Sequence, residues 1–293
     1  MVPTEGGPTS GPTVLRMLLG AQLRRLREEA GVTREAAGWE IRSSESKISR
    51  MELGRVGFKE RDVTDLLTLY GVTAADDREA LLKLARDANS PGWWHRYGDV
   101  LPGWFQSYLG LEAAAALIRT YEVQFVPGLL QTADYARAVI LLGHRNAPTA
   151  EVDRRVKLRM ERQQVLRRST PPQLWAVLDE AALRRPIGGP AVMRQQLDAL
   201  IEATTAAHVR LQIVPFDAGG HAAASGAFSI LRFGDQDLPD IVYIEQLTSA
   251  IYLDKRDDLD YYALAMERLC VEAAPPERTP ELLARIRDEL YPG

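Results

Sequence analysis

Three residues of one glycine-flanked loop, Asp217, His221 and Ser225, carry the side chains of a nucleophilic triad: a carboxylate to orient, an imidazole to take a proton and a hydroxyl to attack. Their spacing denies them that chemistry. A nucleophile elbow needs glycines on both sides of the serine, whereas Ser225 follows Ala222, Ala223 and Ala224, and groups four residues apart on one loop do not converge on a reacting atom. The remaining histidines, His95, His144 and His208, show no metal-ligand spacing, and neither a phosphate-cradling glycine loop nor a P-loop lysine is present. The sequence predicts no catalysis, no metal and no cofactor.

A second constellation has a different use. Read as a helix, Ser44-Glu45-Ser46-Lys47-Ile48-Ser49-Arg50-Met51-Glu52 turns Ile48 and Met51 inward, three apart, and leaves Glu45, Ser46 and Arg50 outward. Those outward types match base edges: arginine bonds guanine O6 and N7 bidentately, serine bonds several bases, and glutamate accepts from cytosine N4. Arg34, Ser44, Lys47 and Arg55 are placed to meet phosphates, which fix register without reading sequence.

Such residues need a scaffold, and the surrounding periodicity supplies one. Leu15, Leu19, Leu23, Leu26 and Ala30 predict a helix from about Val14, stopped at Gly31. Thr33 caps a second helix reaching Ile41, and Ser43 and Ser44 turn the chain into a third from Glu45 to about Leu53, stopped by Gly54. Further helices are predicted from about Glu60 to Tyr70 and from Ala75 to Ala88, so residues 14–88 read as an all-α helix-turn-helix bundle.

Residues 1–13, with Pro3, Pro8, Pro12 and three glycines, are predicted to be a disordered tail. After the Ser90-Pro91-Gly92 break, residues 89–110 form an aromatic-rich connector containing Trp93, Trp94, Tyr97, Trp104, Phe105 and Tyr108. Arg96 alone interleaves those rings with a positive charge, so they read as a packing plug between domains rather than a base-stacking platform. Residues 111–293 read as α+β with a mixed or antiparallel sheet. Helical patterns cover Leu111–Arg119, Thr132–Leu142, Ala150–Arg168, Pro190–Ala206, Asp257–Val271 and Pro280–Leu290. Strand patterns cover Gln173–Leu178, Val209–Val214, Phe228–Phe233, Ile241–Glu245 and Ile251–Leu253.

Charge distribution separates the two parts. The net charge is -4, yet eleven basic against seven acidic residues between Val14 and Arg61 leave that segment at +4 and the rest near -8. A basic module on an acidic body is expected where one part faces phosphates. A length of 293 residues suits two domains, and 46% hydrophobic with 26% charged residues is a globular balance. No apolar run approaches a membrane span, Met1 to Thr13 lacks a basic n-region, and one cysteine, Cys270, fits a reducing compartment. The expectation is a soluble cytoplasmic protein with no membrane partner.

Leu23 to Gly54 resembles the Cro/cI-like (XRE) helix-turn-helix, through Leu26-Arg27-Glu28-Glu29-Ala30-Gly31-Val32-Thr33 and Ser46-Lys47-Ile48-Ser49-Arg50-Met51-Glu52-Leu53-Gly54. The resemblance places that family's base-reading positions on Glu45, Ser46 and Arg50 and a phosphate-contacting position on Arg34. It also marks two departures: Arg42 stands where many members have a turn glycine, and Ala37 where a larger apolar residue is common. Most of Gly103 to Leu283 resembles the C-terminal domain of actinobacterial WhiJ-like and Scr-type antitoxin-like regulators. The matching segments include Tyr121-Glu122-Val123-Gln124-Phe125-Val126-Pro127-Gly128-Leu129-Leu130-Gln131-Thr132 and Asp179-Glu180-Ala181-Ala182-Leu183-Arg184-Arg185-Pro186.

The resulting expectation is a DNA-binding transcriptional regulator acting on double-stranded DNA as a homodimer, whose C-terminal domain senses a small-molecule ligand or a small acidic partner protein. The alternative is an antitoxin-like interaction module that neutralises a small partner and uses DNA binding for autoregulation. Arg154, Arg155 and Arg159 on the basic 150–168 helix are the candidate docking residues, and Glu180, Arg184, His221, Tyr243 and Glu245 the candidate pocket.

Overall fold

The computed structural model describes residues 12–234 and 238–292; the predicted tail, apart from its last two residues, lies outside them. These residues divide into two compact units, the first built from 12–96 with 106–114 and 238–239, the second from 97–105, 115–234 and 240–292. No helix among the described residues is long and apolar enough to cross a membrane, and no group of three or more His, Cys, Asp or Glu side chains among them could hold a metal ion.

The first unit is helical: α1 (Pro12–Glu29), α2 (Arg34–Glu40), α3 (Glu45–Glu52), α4 (Glu60–Leu69) and α5 (Ala75–Ala88). The apolar stripes meet in one core holding Leu19, Leu23, Ala37, Ile41, Ile48, Met51, Phe58, Val63, Leu66 and Leu67. Close approach of α1 to α3 depends on Gly20, where a Cβ would stand 2.5 Å from the Met51 carbonyl oxygen. Any larger residue there would push the third helix off the bundle.

A twelfth-residue stop at Ala114 ends α6 (Gly103–Ala114), and the chain continues directly into β1 (Ala115–Glu122). The helical reading of Leu111–Arg119 is therefore wrong in its second half. From residue 115 onward the backbone pairs on both sides, with β2 (Gln173–Asp179) in parallel and β4 (Phe228–Phe233) antiparallel. Two ladders of hydrogen bonds outweigh the helix propensity of the alanine run that precedes them.

The remaining elements of the second unit are α7 (Ala133–Gly143), α8 (Thr149–Arg162), α9 (Glu180–Arg184), α10 (Pro190–Ala203), β3 (Val209–Val214), β5 (Ile241–Glu245), β6 (Ala250–Leu253), α11 (Arg256–Glu272) and α12 (Thr279–Leu290). The six strands make one mixed sheet in the order β3-β2-β1-β4-β5-β6. Its β1, β2 and β3 are mutually parallel, while β4, β5 and β6 form an antiparallel meander beside β1. Tyr121, Val177, Phe228, Ile230 and Val242 pack on one face with Met266, Leu269 and Ala273 from α11 and the residue after it. Ile118, Leu174, Ala176, Leu178, Leu211 and Ile213 alternate to the other face and are buried too, so both faces are covered.

Strand direction fixes where polar ends gather. Because β5 runs opposite to β4 and β4 opposite to β1, the carboxyl ends of β1, β2, β3 and β5 share one end of the sheet.

Candidate nucleic-acid interface

The helix-turn-helix is assembled by local chemistry. The Thr33 hydroxyl accepts from Ala36 N–H at 3.1 Å, and the Ser44 hydroxyl accepts from Lys47 N–H at 3.3 Å, so each helix begins on a side-chain cap. Between them Arg42 adopts φ +53°, the left-handed conformation that glycine takes at no cost. The turn keeps its left-handed geometry at the position where glycine is missing. Ala37 is fully buried beneath it.

On α3, Ile48 and Met51 are buried in the bundle core, while Glu45, Ser46 and Arg50 are exposed. Arg50 makes no ion pair or hydrogen bond through its side chain among the described residues. Ser44 and Arg55 are exposed at the two ends of the same helix, with Arg55 N–H donating to the Arg50 carbonyl at 2.8 Å to close it. The exposed set and its buried complement thus sit on opposite sides of one short helix.

Two residues expected on phosphates also have protein partners. Lys47 Nζ lies 2.7 Å from Asp62 Oδ2, and that carboxylate is almost wholly buried, so Lys47 ties α3 to α4 rather than reaching outward. Arg34 Nε donates to Glu52 Oε2 at 2.9 Å; its outer nitrogens have no partner among the described residues and remain available to an anion.

Glu52 is the residue that sequence reasoning passed over. Its buried carboxylate also receives Arg27 Nε at 2.5 Å and Arg27 Nη2 at 3.2 Å, and this hydrogen-bonded pairing holds the Arg27 guanidinium above its ordinary pKa. One carboxylate therefore joins α1, α2 and α3. Its signal was available: Glu52 is four residues beyond Ile48, on the buried side of the helix. Trp39 was also missed; at 82% exposure it stands in solvent on α2.

In the second unit the proposed docking arginines are occupied. Arg154 pairs with Asp99 at 2.8 Å and stacks over the Tyr97 ring, Arg155 pairs with Glu151 at 2.8 Å and donates to the Val100 carbonyl, and Arg159 donates to Gln131 Oε1 at 2.8 Å. Burial, with the charge of Arg162 added, lowers the Arg159 pKa to about 10. These side chains bind α8 to the 97–105 segment and to the loop before α7. They do not form a free basic face.

The five pocket candidates fall into two groups at the carboxyl end of the sheet. His221 Nε2 lies 2.8 Å from Tyr121 Oη, which in turn donates to Asp179 Oδ2 at 3.4 Å. With Ala223 N–H donating to Nδ1 at 3.3 Å, the ring proton is assigned to Nε2. Beside them Glu180 accepts from Arg184 Nε at 2.6 Å and from Phe216 N–H at 2.9 Å. Tyr243 donates to Glu245 at 3.0 Å on β5, three strands from β2 and hence about 14 Å away in the sheet. The five do not line one pocket.

Residues 18–81 match the family described as helix-turn-helix domain, and residues 105–285 match the family described as Domain of unknown function (DUF5753). The chain belongs to the DUF5753 family. No curated protein and no solved structure matches it. As a DUF5753 protein it couples a helix-turn-helix module of the DNA-binding type to a larger mixed-sheet domain.

Proposed function

We propose that the chain is a cytoplasmic, sequence-specific transcriptional regulator that binds operator DNA as a homodimer and whose DUF5753 domain receives a signal, as in the WhiJ-like, antitoxin-like regulators of actinobacteria that it resembles. It is a binding protein, not an enzyme. The observation that carries this reading is the division of α3 into a buried side, Ile48 and Met51, and an exposed side, Glu45, Ser46 and an unpaired Arg50. In the major groove that side reads base edges, while Ser44, Arg55 and the outer nitrogens of Arg34 meet phosphates. One such helix reads only a few base pairs, and a twofold pair extends the site to two half-sites about one helical turn apart.

Of the two signals considered, a small molecule is favoured over a small acidic protein. The arginines that would greet an acidic surface already have partners within α8 and the 97–105 segment. Selection of binding sites from random DNA with the full chain tests the reading. The expected product is a pair of inverted half-sites with a fixed spacing; a pool with no enriched sequence, bound to a degree set by salt alone, would refute it.

A further inference from the structure

Helix α11 has two faces, and the sheet uses one of them. Leu259, Tyr262, Met266 and Leu269 pack inward with the strands. The opposite side carries Tyr261, Leu264 and Val271 at 72%, 47% and 85% exposure, three of the nine large apolar side chains that stand in solvent among the described residues. Three on one helix face make a patch rather than scatter. With Arg268 they follow one another at steps of three, four and three, the spacing of a helix that packs along another helix. Tyr261 is steadied by the edge of Tyr262, whose own ring is anchored on Phe228 at 5.0 Å. Arg268 and its neighbour Glu267 are exposed and have no ion-pair partner among the described residues, although Glu272 lies one turn beyond Arg268.

This seam is complementary to itself. Laid antiparallel on a second copy, about a twofold axis near Met266, Tyr261 meets Val271, a large ring against a small side chain, and Leu264 meets the aliphatic stem of Arg268. The Arg268 guanidinium then comes within reach of Glu267 on the second copy, one turn beyond that Leu264, so each unpaired charge gains a partner. A parallel arrangement would instead set Arg268 against Arg268 and the acidic start of the helix, Asp257, Asp258 and Asp260, against itself. We propose that α11 makes the twofold contact of the homodimer, pairing antiparallel with α11 of a second copy through Tyr261, Leu264, Arg268 and Val271. This contact presupposes the homodimer proposed above and gives it a surface. One helix seam covers well below the roughly 800 Å² per partner of a standard interface, so the free dimer is weak and two half-sites of DNA complete it.

Sedimentation equilibrium of the full chain tests the pairing. The native chain should dimerise with a Kd of about 10–100 µM. Leu264→Glu, which puts an unpaired charge into the seam, should weaken the dimer by about tenfold or more and leave the chain folded, because the side chain is half-exposed. Cysteine pairs read the direction. In a Cys270→Ala background, Tyr261→Cys with Val271→Cys should oxidise to a covalent dimer, and either cysteine alone should not. Ten residues apart on one helix, about 15 Å, the two cannot join within a chain. Self-cross-linking of the single variants as fast as the pair, no covalent dimer from the pair, dimerisation undiminished by Leu264→Glu, or a chain still monomeric at about 500 µM would overturn the seam. In each of those cases paired half-sites selected from random DNA would still uphold the homodimer, whereas a monomer on the selected DNA would refute the homodimer itself.

Discussion

Helices α3 and α8 differ in the opposite sense to their charge. The fourteen residues of α8 include Arg154, Arg155, Lys157, Arg159 and Arg162, whereas the eight of α3 include only Lys47 and Arg50. Counting charge makes α8 the more natural place for an anionic partner. Its arginines, however, answer to Asp99, Glu151, the Val100 carbonyl and Gln131. On α3 the pairing of Lys47 with Asp62 leaves Arg50 as the exposed, unpaired cation. Availability, set by tertiary partners, separates a cation that organises the fold from one left open to a ligand.

The comparison breaks most visibly where a buried charge is shared. Glu52→Ala strands Arg27 and removes the Arg34 hydrogen bond, and should cost the first unit about 3–5 kcal/mol in chemical denaturation. A cost below about 1 kcal/mol would show that the three-helix junction is held by apolar packing alone. Reversing charge on α8 through Arg154→Glu, Arg155→Glu and Arg159→Glu should lower the stability of the second unit by about 2–4 kcal/mol, largely from Arg159. DNA affinity of the folded variant should stay unchanged. A stable variant with weakened DNA binding would return α8 to the role of a contact surface.

A third test concerns the acid that faces α8. Burial, reinforced by the charge of Glu245 and opposed by Arg162 and Arg159, raises the Glu122 carboxyl to about 8. Because the folded pKa lies above the unfolded one, this group favours folding most at low pH. Its contribution declines as pH rises from about 4.5 toward 8. Glu122→Gln should therefore flatten the loss of stability over that window and raise the melting midpoint at pH 8 by about 2–4 °C. A midpoint lowered at pH 8 would mean that the ionised carboxylate is the favoured form. The smallest effect is expected at the turn before α3, where Arg42→Gly relieves a left-handed residue and should stabilise the first unit by about 0.5–1 kcal/mol in thermal melts. Destabilisation there would assign Arg42 a contact beyond its backbone.

What the sequence made legible follows the range of the interactions. Helices of the first unit were marked by apolar spacing and by the caps Thr33 and Ser44, which act over three residues. The outward set Glu45, Ser46 and Arg50 followed from periodicity alone. By contrast, β1 was hidden because its strand character comes from partners near residues 173–178 and 228–233, while the local alanines favour helix. The partners of Arg34 and Lys47 lie 18 and 15 residues away, and His221 meets Tyr121 across 100 residues. No local pattern encodes which of those charges will be consumed.

The most direct measurement is the base preference of Arg50→Ala against that of the native chain, obtained by selecting sites from random DNA and comparing specific with nonspecific affinity. A bidentate arginine–guanine contact is worth about 1–3 kcal/mol of discrimination, so the variant should remain folded, lose that preference at one position per half-site and change little on nonspecific DNA. An unaltered preference in folded Arg50→Ala protein would contradict the assignment of α3 as the helix that reads DNA.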